Sequence, residues 1–326
     1  MSIERIAFLG KSKARTRETR FMVKGLCQLG KQVLFLNVPT IRRKLRGGDL
    51  AGVLMDRVER FRPHLVLSYS KDAPEEVLRT LRGRVPTAMF WPDYVEPLEG
   101  DEELLRKGRL VDVFFMTNKG LRERFLDLGV RRPIFCPQAC DDDEHRRIRA
   151  IRRYWKSDVA FVGRPHSAFR AEIIKAVHNR FQLKVWGGDW RHLGIPSIRR
   201  SVHPRQYAKI CSGAKIMLGC DFTNRVQCYF SFRTWIVLGC GGFLLTNYVP
   251  GLETLFENRE HLVWYNDSAE CLALIEYYLR HDEERLYISN QGFEFVHRTR
   301  NYRVMMREML DSVEQVVGEE EHTGGH

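Results

Sequence analysis

Phe161-Val162-Gly163-Arg164 is an apolar strand that stops at a glycine followed by a fixed positive charge. A helical pattern starts a few residues later. Such a junction aims backbone N–H groups and a helix N-terminus at an anion, and Arg164 adds a formal charge. Arg170, early in that helix, is a second candidate phosphate contact. The ordinary alternative is a turn with no ligand. No G-x-G-x-x-G accompanies the junction, so a hydride-transfer dinucleotide site is not expected. A second cluster starts at Ser231 and Arg233, runs through a helix to Gly241-Gly242, and passes directly into an apolar strand ending at Thr246. Gly241 can take a positive φ where the helix stops, and Gly242 lets a backbone or a ligand come close. Tight helix-to-strand packing would need the same pair. Trp186-Gly187 closes another strand. Upstream, Asp93 follows the aromatic run Phe90-Trp91 and is placed to activate an acceptor hydroxyl or to cap a turn. Lys11, Lys13, Arg15 and Arg17 crowd the loop after the first strand, which suits an anionic acceptor or a plain solvated loop.

The elements that must position these residues alternate in type. Apolar runs of strand length fall at 6–9, 33–38, 65–68, 87–91, 113–116 and 134–135. Helical patterns lie between them at 16–29, 73–81 and 119–128. This is a βαβ series, which predicts a parallel sheet covered on both faces. From 137 to 157 the series pauses in an acidic and then basic stretch, a linker or surface helix. It restarts with strands at 159–162, 183–186, 215–218, 242–246 and 262–265. The helices between and after them are at 168–180, 204–212, 231–238, 251–256 and 268–279, followed by a helical region over 283–317. The sequence therefore predicts an N-terminal Rossmann-like domain over 1–150 and a C-terminal one over 151–300. Residues 300–317 are expected to pack back on the first domain, and 318–326 form a disordered tail. Both halves read as doubly wound α/β sheets, whose ligands bind at strand carboxyl ends, here facing a cleft between the halves.

Composition bounds the function. The formal net charge is +12, and the first 50 residues hold twelve Lys and Arg against three Asp and Glu. Clustered positive charge suits phosphates, nucleic acid or an anionic membrane. No RNP or zinc-finger motif is present, which argues against nucleic acid. No run of about 18 uncharged apolar residues occurs, so no transmembrane helix is expected. The apolar segment at 6–9 is too short for a secretory leader, and a cytoplasmic protein is expected, with room for contact at the inner membrane face. The eight cysteines form no C-x-x-C pair and read as buried thiols. Cys136, Cys140 and His145 lack a fourth ligand at metal spacing, so no metal and no cofactor are expected.

Order and spacing of the second-half motifs matter more than any one of them. The aromatic-Val-Gly strand is followed by Ser231-x-Arg233-x-Trp235, the glycine pair, and Pro250-Gly251-Leu252-Glu253-Thr254-Leu255-Phe256. Over residues 134–310 this resembles the CgeB-like (spore-maturation protein) glycosyltransferases, a branch near family 4. The resemblance implies a GT-B fold and transfer of a sugar from a nucleotide-sugar donor to an acceptor; the basic N-terminal charges suit an anionic or lipid-linked one. It implies donor contacts from Gly163, Arg164, Arg170, Trp186, Gly187, Ser231, Arg233, Gly241 and Gly242, with Asp93 on the acceptor side. Asp141-Asp142-Asp143 sits in the wrong context for the metal motif of the other glycosyltransferase fold. The chain departs from the family at Cys228 and Ile236, where the family carries acids. An isoleucine cannot accept a hydrogen bond from a ribose hydroxyl. Either Asp221, Asn224 or Glu253 takes that task, or the chain is a degenerate GT-B module that binds nucleotide or acts as a scaffold.

Overall fold

Short apolar runs alternate with amphipathic segments closed by polar caps, and strands and helices follow that alternation closely. The computed structural model describes residues 2–12 and 18–323. In chain order the first half contains β1 (Arg5–Gly10), α1 (Glu18–Gln28), β2 (Gln32–Asn37), α2 (Val38–Leu45), α3 (Leu50–Phe61), β3 (Leu65–Tyr69), α4 (Glu75–Leu81), β4 (Thr87–Trp91), α5 (Glu102–Gly108), β5 (Val113–Met116), α6 (Arg122–Asp127) and β6 (Pro133–Phe135). The second half contains β7 (Ser157–Val162), α7 (Ala168–Arg180), β8 (Leu183–Trp186), α8 (Pro204–Gly213), β9 (Ala214–Leu218), α9 (Arg233–Gly239), β10 (Leu244–Asn247), β11 (Val263–Tyr265), α10 (Ser268–Arg280), α11 (Asp282–Thr299) and α12 (Tyr302–Thr323).

The chain divides into two compact units, Met1–Gln138 with Tyr302–His326, and Ala139–Asn301. The first unit is built on a six-stranded parallel sheet of order β2-β1-β3-β4-β5-β6. One face of that sheet buries Ala7, Leu9, Val66, Met89, Trp91, Phe114 and Met116 against α3, α4 and the helices that follow. On the other face α12 returns to pack on α1, where Tyr302 meets Phe21 at 5.4 Å between ring centroids. The second unit is built on a five-stranded parallel sheet of order β11-β10-β9-β7-β8. Alternate residues of one strand go to opposite layers: Ala160 and Val162 join one core, Val159 and Phe161 the other. That is the period-2 geometry of a sheet covered on both sides.

Several expectations shift. The first unit ends at Gln138 rather than at 150. Of the two readings of residues 137–157, the linker fits: they form no α-helix and run through turns to a 3₁₀ turn at Arg153–Trp155. The helix expected over 251–256 shrinks to a 3₁₀ turn at Leu252–Thr254, because Gly251 stands at φ 87° and stops helical winding on its N-terminal side. The long helical region over 283–317 breaks at Arg300–Asn301, where the chain passes from the second unit to the first. Beyond it α12 continues as far as Thr323, so the segment expected to be disordered from 318 is helical over its described part. α2, α3 and α5 are additional helices. No described helix is long and apolar enough to cross a membrane.

Candidate functional site

The second unit changes winding direction between β7 and β9. The chain moves from β7 outward to β8, then returns to the other side of β7 to form β9. Such a switch point opens a crevice at the carboxyl edge of a parallel sheet, because neighbouring loops leave in opposite directions. β7, β8 and β9 each end on a glycine: Gly163, Gly187 and Gly219. Gly187 is held at φ 131°, and a Cβ there would lie 2.0 Å from the carbonyl oxygen of Gly163. Gly163 N–H donates to the carbonyl of Trp186 at 2.8 Å, and Trp190 Nε1 donates to the Gly163 carbonyl at 2.8 Å. The ends of β7 and β8 are thus locked backbone to backbone.

Charge gathers above this floor. Arg233, the first residue of α9, donates from Nη2 to the Cys220 carbonyl at 3.1 Å and lies over the Phe161 ring at 5.5 Å. Its Nη1 sits 2.9 Å from where a Cβ of Gly163 would be. Its Nε is buried without a hydrogen-bond partner. Arg170, 5% exposed, donates from Nε to the same Cys220 carbonyl at 2.8 Å and from Nη1 to the Arg164 carbonyl at 2.9 Å. Burial, reinforced by the neighbouring Arg233 charge, lowers the Arg170 pKa to about 10. Asp221 is buried beside them. Its Oδ1 accepts from Ser231 N–H at 2.7 Å, its own N–H donates to Asn247 Oδ1 at 2.7 Å, and its Oδ2 has no partner. Burial raises the Asp221 carboxyl above the usual range, with Arg233 and Arg170 opposing. One carboxylate between two guanidinium groups leaves net positive charge at the switch point, with a buried donor and a buried acceptor unsatisfied. Unpaired buried polar atoms are costly and mark places where a ligand or a rearrangement completes the network. At the rim, exposed Arg164 lies 3.8 Å from Asp189, which also faces Arg200 at 3.5 Å.

Gly163, Arg164, Arg170, Gly187, Ser231 and Arg233 therefore converge on one edge. Arg170 spends its bonds on backbone carbonyls and braces the β7–α7 loop against the end of β9. Asn224 lies part-exposed in the loop after Asp221. Glu253, exposed beyond β10, accepts from Tyr248 Oη at 2.9 Å. Three expected donor residues do not join them. The Trp186 side chain is fully buried and stacks on Trp155 at 5.1 Å, so that strand end offers only its backbone. Gly241 and Gly242 precede β10 instead of following it, which puts them at the amino edge of the sheet. The two positions where acids were missing are packed: Cys228 is buried, and Ile236 lies against the core on that face. Cys228 adopts φ 54° while its N–H donates to the Pro250 carbonyl at 2.7 Å, pinning the 221–231 loop to the turn at Gly251.

In the first unit, Asp93 follows β4 and accepts at its carbonyl from Asn118 Nδ2 at 2.9 Å. Its carboxylate reaches the surface, yet the surrounding protein desolvates it and raises its pKa, with Lys11 and Lys71 pulling the other way. Lys11 lies 3.8 Å from Asp72. Lys13, Arg15 and Arg17 fall outside the described residues. Sequence reasoning missed Glu18, the first residue of α1. It accepts from Tyr69 Oη at 3.0 Å, Gln138 Nε2 at 3.2 Å and Tyr302 Oη at 3.3 Å. Burial raises its pKa to about 7 against those three donors. The available signal was an acid at a helix start directly after a basic loop.

Cys140, Asp142 and His297 bring ligand-type atoms within 4.8 Å of one another. His297 uses both ring nitrogens, Nδ1 with Asp142 Oδ1 and Nε2 with the Gly239 carbonyl, each at 2.9 Å. Burial keeps the Cys140 thiol protonated, its pKa well above the ordinary value. His297 thereby staples α11 to the end of α9 and to Asp142.

Residues 164–311 match a family model described as glycosyl transferase-like. Comparison with curated proteins finds no match. Among solved structures, sucrose-phosphate synthase from Thermosynechococcus elongatus is similar over 97% of this chain and 100% of its own, at 12% identity and a TM-score of 0.70. HepE from Anabaena, solved with UDP-glucose, is similar over 95% of this chain and 99% of its own, at 11% identity and TM-score 0.66. A glycosyltransferase from Rickettsia africae covers 97% and 99%, at 10% identity and TM-score 0.67. With two parallel-sheet α/β units of six and five strands, the chain has the GT-B fold of these glycosyltransferases.

Proposed function

We propose that this protein is a CgeB-like glycosyltransferase that moves a sugar from a nucleotide-sugar donor to an acceptor without a metal ion. The observation that carries the proposal is the switch point of the second unit. There the Arg233 Nε is buried and unpartnered above a bare Gly163, and Arg170 adds a second charge. Negative charge grows on a departing nucleoside diphosphate as the glycosidic bond breaks. Guanidinium groups already held in place stabilise that charge without reorganising at the moment of reaction. In this reading Arg233 meets the diphosphate, Arg170 fixes the loop that carries Arg164, and Asp221 holds the 221–231 loop through Ser231 N–H. Binding of UDP-glucose by the similar HepE supports a nucleotide-sugar donor. Asp93, with Lys11 beside it, is the acceptor-side candidate for proton acceptance from a hydroxyl. The basic N-terminal segment favours an anionic or lipid-linked acceptor reached from the cytoplasmic face of a membrane.

Cys228 and Ile236, both in apolar settings, favour a second reading in which the site binds nucleotide and no longer transfers sugar. One experiment addresses both. Titration of the full chain with UDP-, GDP-, ADP- and dTDP-sugars, followed by a donor-hydrolysis assay, should give binding to at least one donor. Arg233→Ala should weaken that binding about tenfold or more. Unchanged affinity in Arg233→Ala would remove the assignment, and tight binding without hydrolysis or transfer would favour the degenerate module.

A further inference from the structure

The amino edge of the second unit's sheet holds a cavity of about 390 Å³, away from the carboxyl edge used above. Its wall includes Arg147, Arg149, Lys215 and Arg285, and no residue lining it is acidic. Two of these charges are answered from outside the cavity: Lys215 by Asp158 at 2.9 Å and Arg285 by Asp282 at 2.7 Å. The other two are not. Arg149 makes no hydrogen bond or ion pair among the described residues, and Arg147 has no carboxylate partner there.

Arg147 is nevertheless held in place. Its Nη2 donates to the Ser289 carbonyl at 3.1 Å, and its guanidinium lies over the Phe293 ring at 4.8 Å. Gly241, at φ 64°, makes room for it, since a Cβ there would lie 2.0 Å from Arg147 Nε. Burial lowers the pKa of this guanidinium, with Glu294 working weakly the other way. Ser212, also in the wall, accepts from Ile148 N–H at 2.9 Å and keeps its hydroxyl proton to give. One held cation, a second with no carboxylate partner, a spare hydroxyl donor and no lining acid form an environment suited to an anion. The volume lies within the usual range for small-molecule sites, roughly 300–1,000 Å³.

We propose that this cavity is a second anion site, separate from the donor site, that takes a small phosphate-bearing molecule on Arg147, Arg149 and Ser212. The glycine pair that the sequence singled out then serves this edge, with Gly241 seating Arg147. The proposal does not depend on the function assigned to the carboxyl edge.

The test crosses the two edges. The full chain is titrated calorimetrically with inorganic phosphate and, separately, with glucose 1-phosphate, in wild type, Arg149→Ala, Arg147→Ala/Arg149→Ala and Arg233→Ala. Wild type should bind at least one probe. Arg149→Ala should weaken it about fivefold, the double variant about thirtyfold or beyond detection, and Arg233→Ala should leave it unchanged. Tighter binding of the sugar phosphate than of phosphate would assign the rest of the cavity to the esterified group; equal binding would assign only the anion contact. No binding by wild type, equal binding by the double variant, or loss of binding in Arg233→Ala would overturn the proposal. Arg149→Ala removes no hydrogen bond or ion pair among the described residues, so an unchanged unfolding midpoint should accompany its loss of binding.

Discussion

The two edges of the second unit's sheet use similar residues to opposite ends. At the carboxyl edge, glycine follows the strand: β7, β8 and β9 stop on Gly163, Gly187 and Gly219, and at Gly187 backbone meets backbone. At the amino edge, glycine precedes the strand: Gly241 and Gly242 come before β10, and Gly241 faces the side chain of Arg147. Both edges collect arginine. At the carboxyl edge Arg170 and Arg233 share one carbonyl, that of Cys220, around a buried Asp221. At the amino edge Arg147 and Arg149 line a cavity without an acid. A Gly-Arg or Gly-Gly motif therefore has no fixed meaning in a parallel sheet. Whether it comes before or after its strand decides which edge it serves.

The largest expected effect breaks or keeps this contrast at the glycines. Gly187→Ala places a methyl against a backbone oxygen that cannot move aside, in a φ that side chains rarely adopt. It should cost about 3 kcal/mol or more in urea unfolding. Gly241→Ala, also at positive φ, meets the Cγ–Nε stretch of the Arg147 side chain, which can swing aside where a backbone oxygen cannot, and should cost about 1–2 kcal/mol. Equal losses would erase the distinction between the edges. Next in size are the arginines. Arg170→Ala removes two bonds to backbone carbonyls, that of Cys220 buried, and should cost about 2 kcal/mol, whereas Arg149→Ala should stay within about 0.5 kcal/mol. A costly Arg149→Ala would show that the amino edge is braced like the other.

The smallest effect is a pH dependence near the amino edge. Burial works to lower the His297 pKa, but its hydrogen bonds to Asp142 and the Gly239 carbonyl outweigh that and raise it. A histidine raised in the folded state contributes stability that is fully present below its unfolded value of 6.5. That contribution is lost as pH rises through the raised folded value. Unfolding midpoints measured across this window should fall with pH, and His297→Gln should flatten the slope. An unchanged slope would detach His297 from the staple.

Much of this was legible in the sequence. Strands β4, β5 and β8 and helix α7 match their expected ends because each is an apolar run or periodic stretch bounded by residues that stop it. The family resemblance put Gly163 and Arg233 in one set of residues, and the fold brings them together. Other features were not legible, for physical reasons. α2 carries Val38, Ile41 and Leu45 on one face, but it has only eight residues and runs straight on from β2, so its first apolar residue reads as part of the strand. Trp186 looks like a ligand-facing aromatic at a strand end, but alternation along β8 turns it inward. Glu18 is an ordinary helix-start acid in sequence; Tyr69, Gln138 and Tyr302, distant along the chain, surround it and change its chemistry.

The sequence by itself determined the βαβ alternation in both halves, because strand and helix periods are local properties of side-chain pattern. It also determined that glycine and arginine stand beside the strands. Tertiary structure alone decided which of those pairs share a site. That choice depends on strand order, and β9 pairs with β7 rather than with the β8 that precedes it. It depends also on burial, which leaves Arg233 Nε and Asp221 Oδ2 without partners at one edge and gathers Arg147 and Arg149 at the other. Both are long-range outcomes of packing that no local pattern encodes.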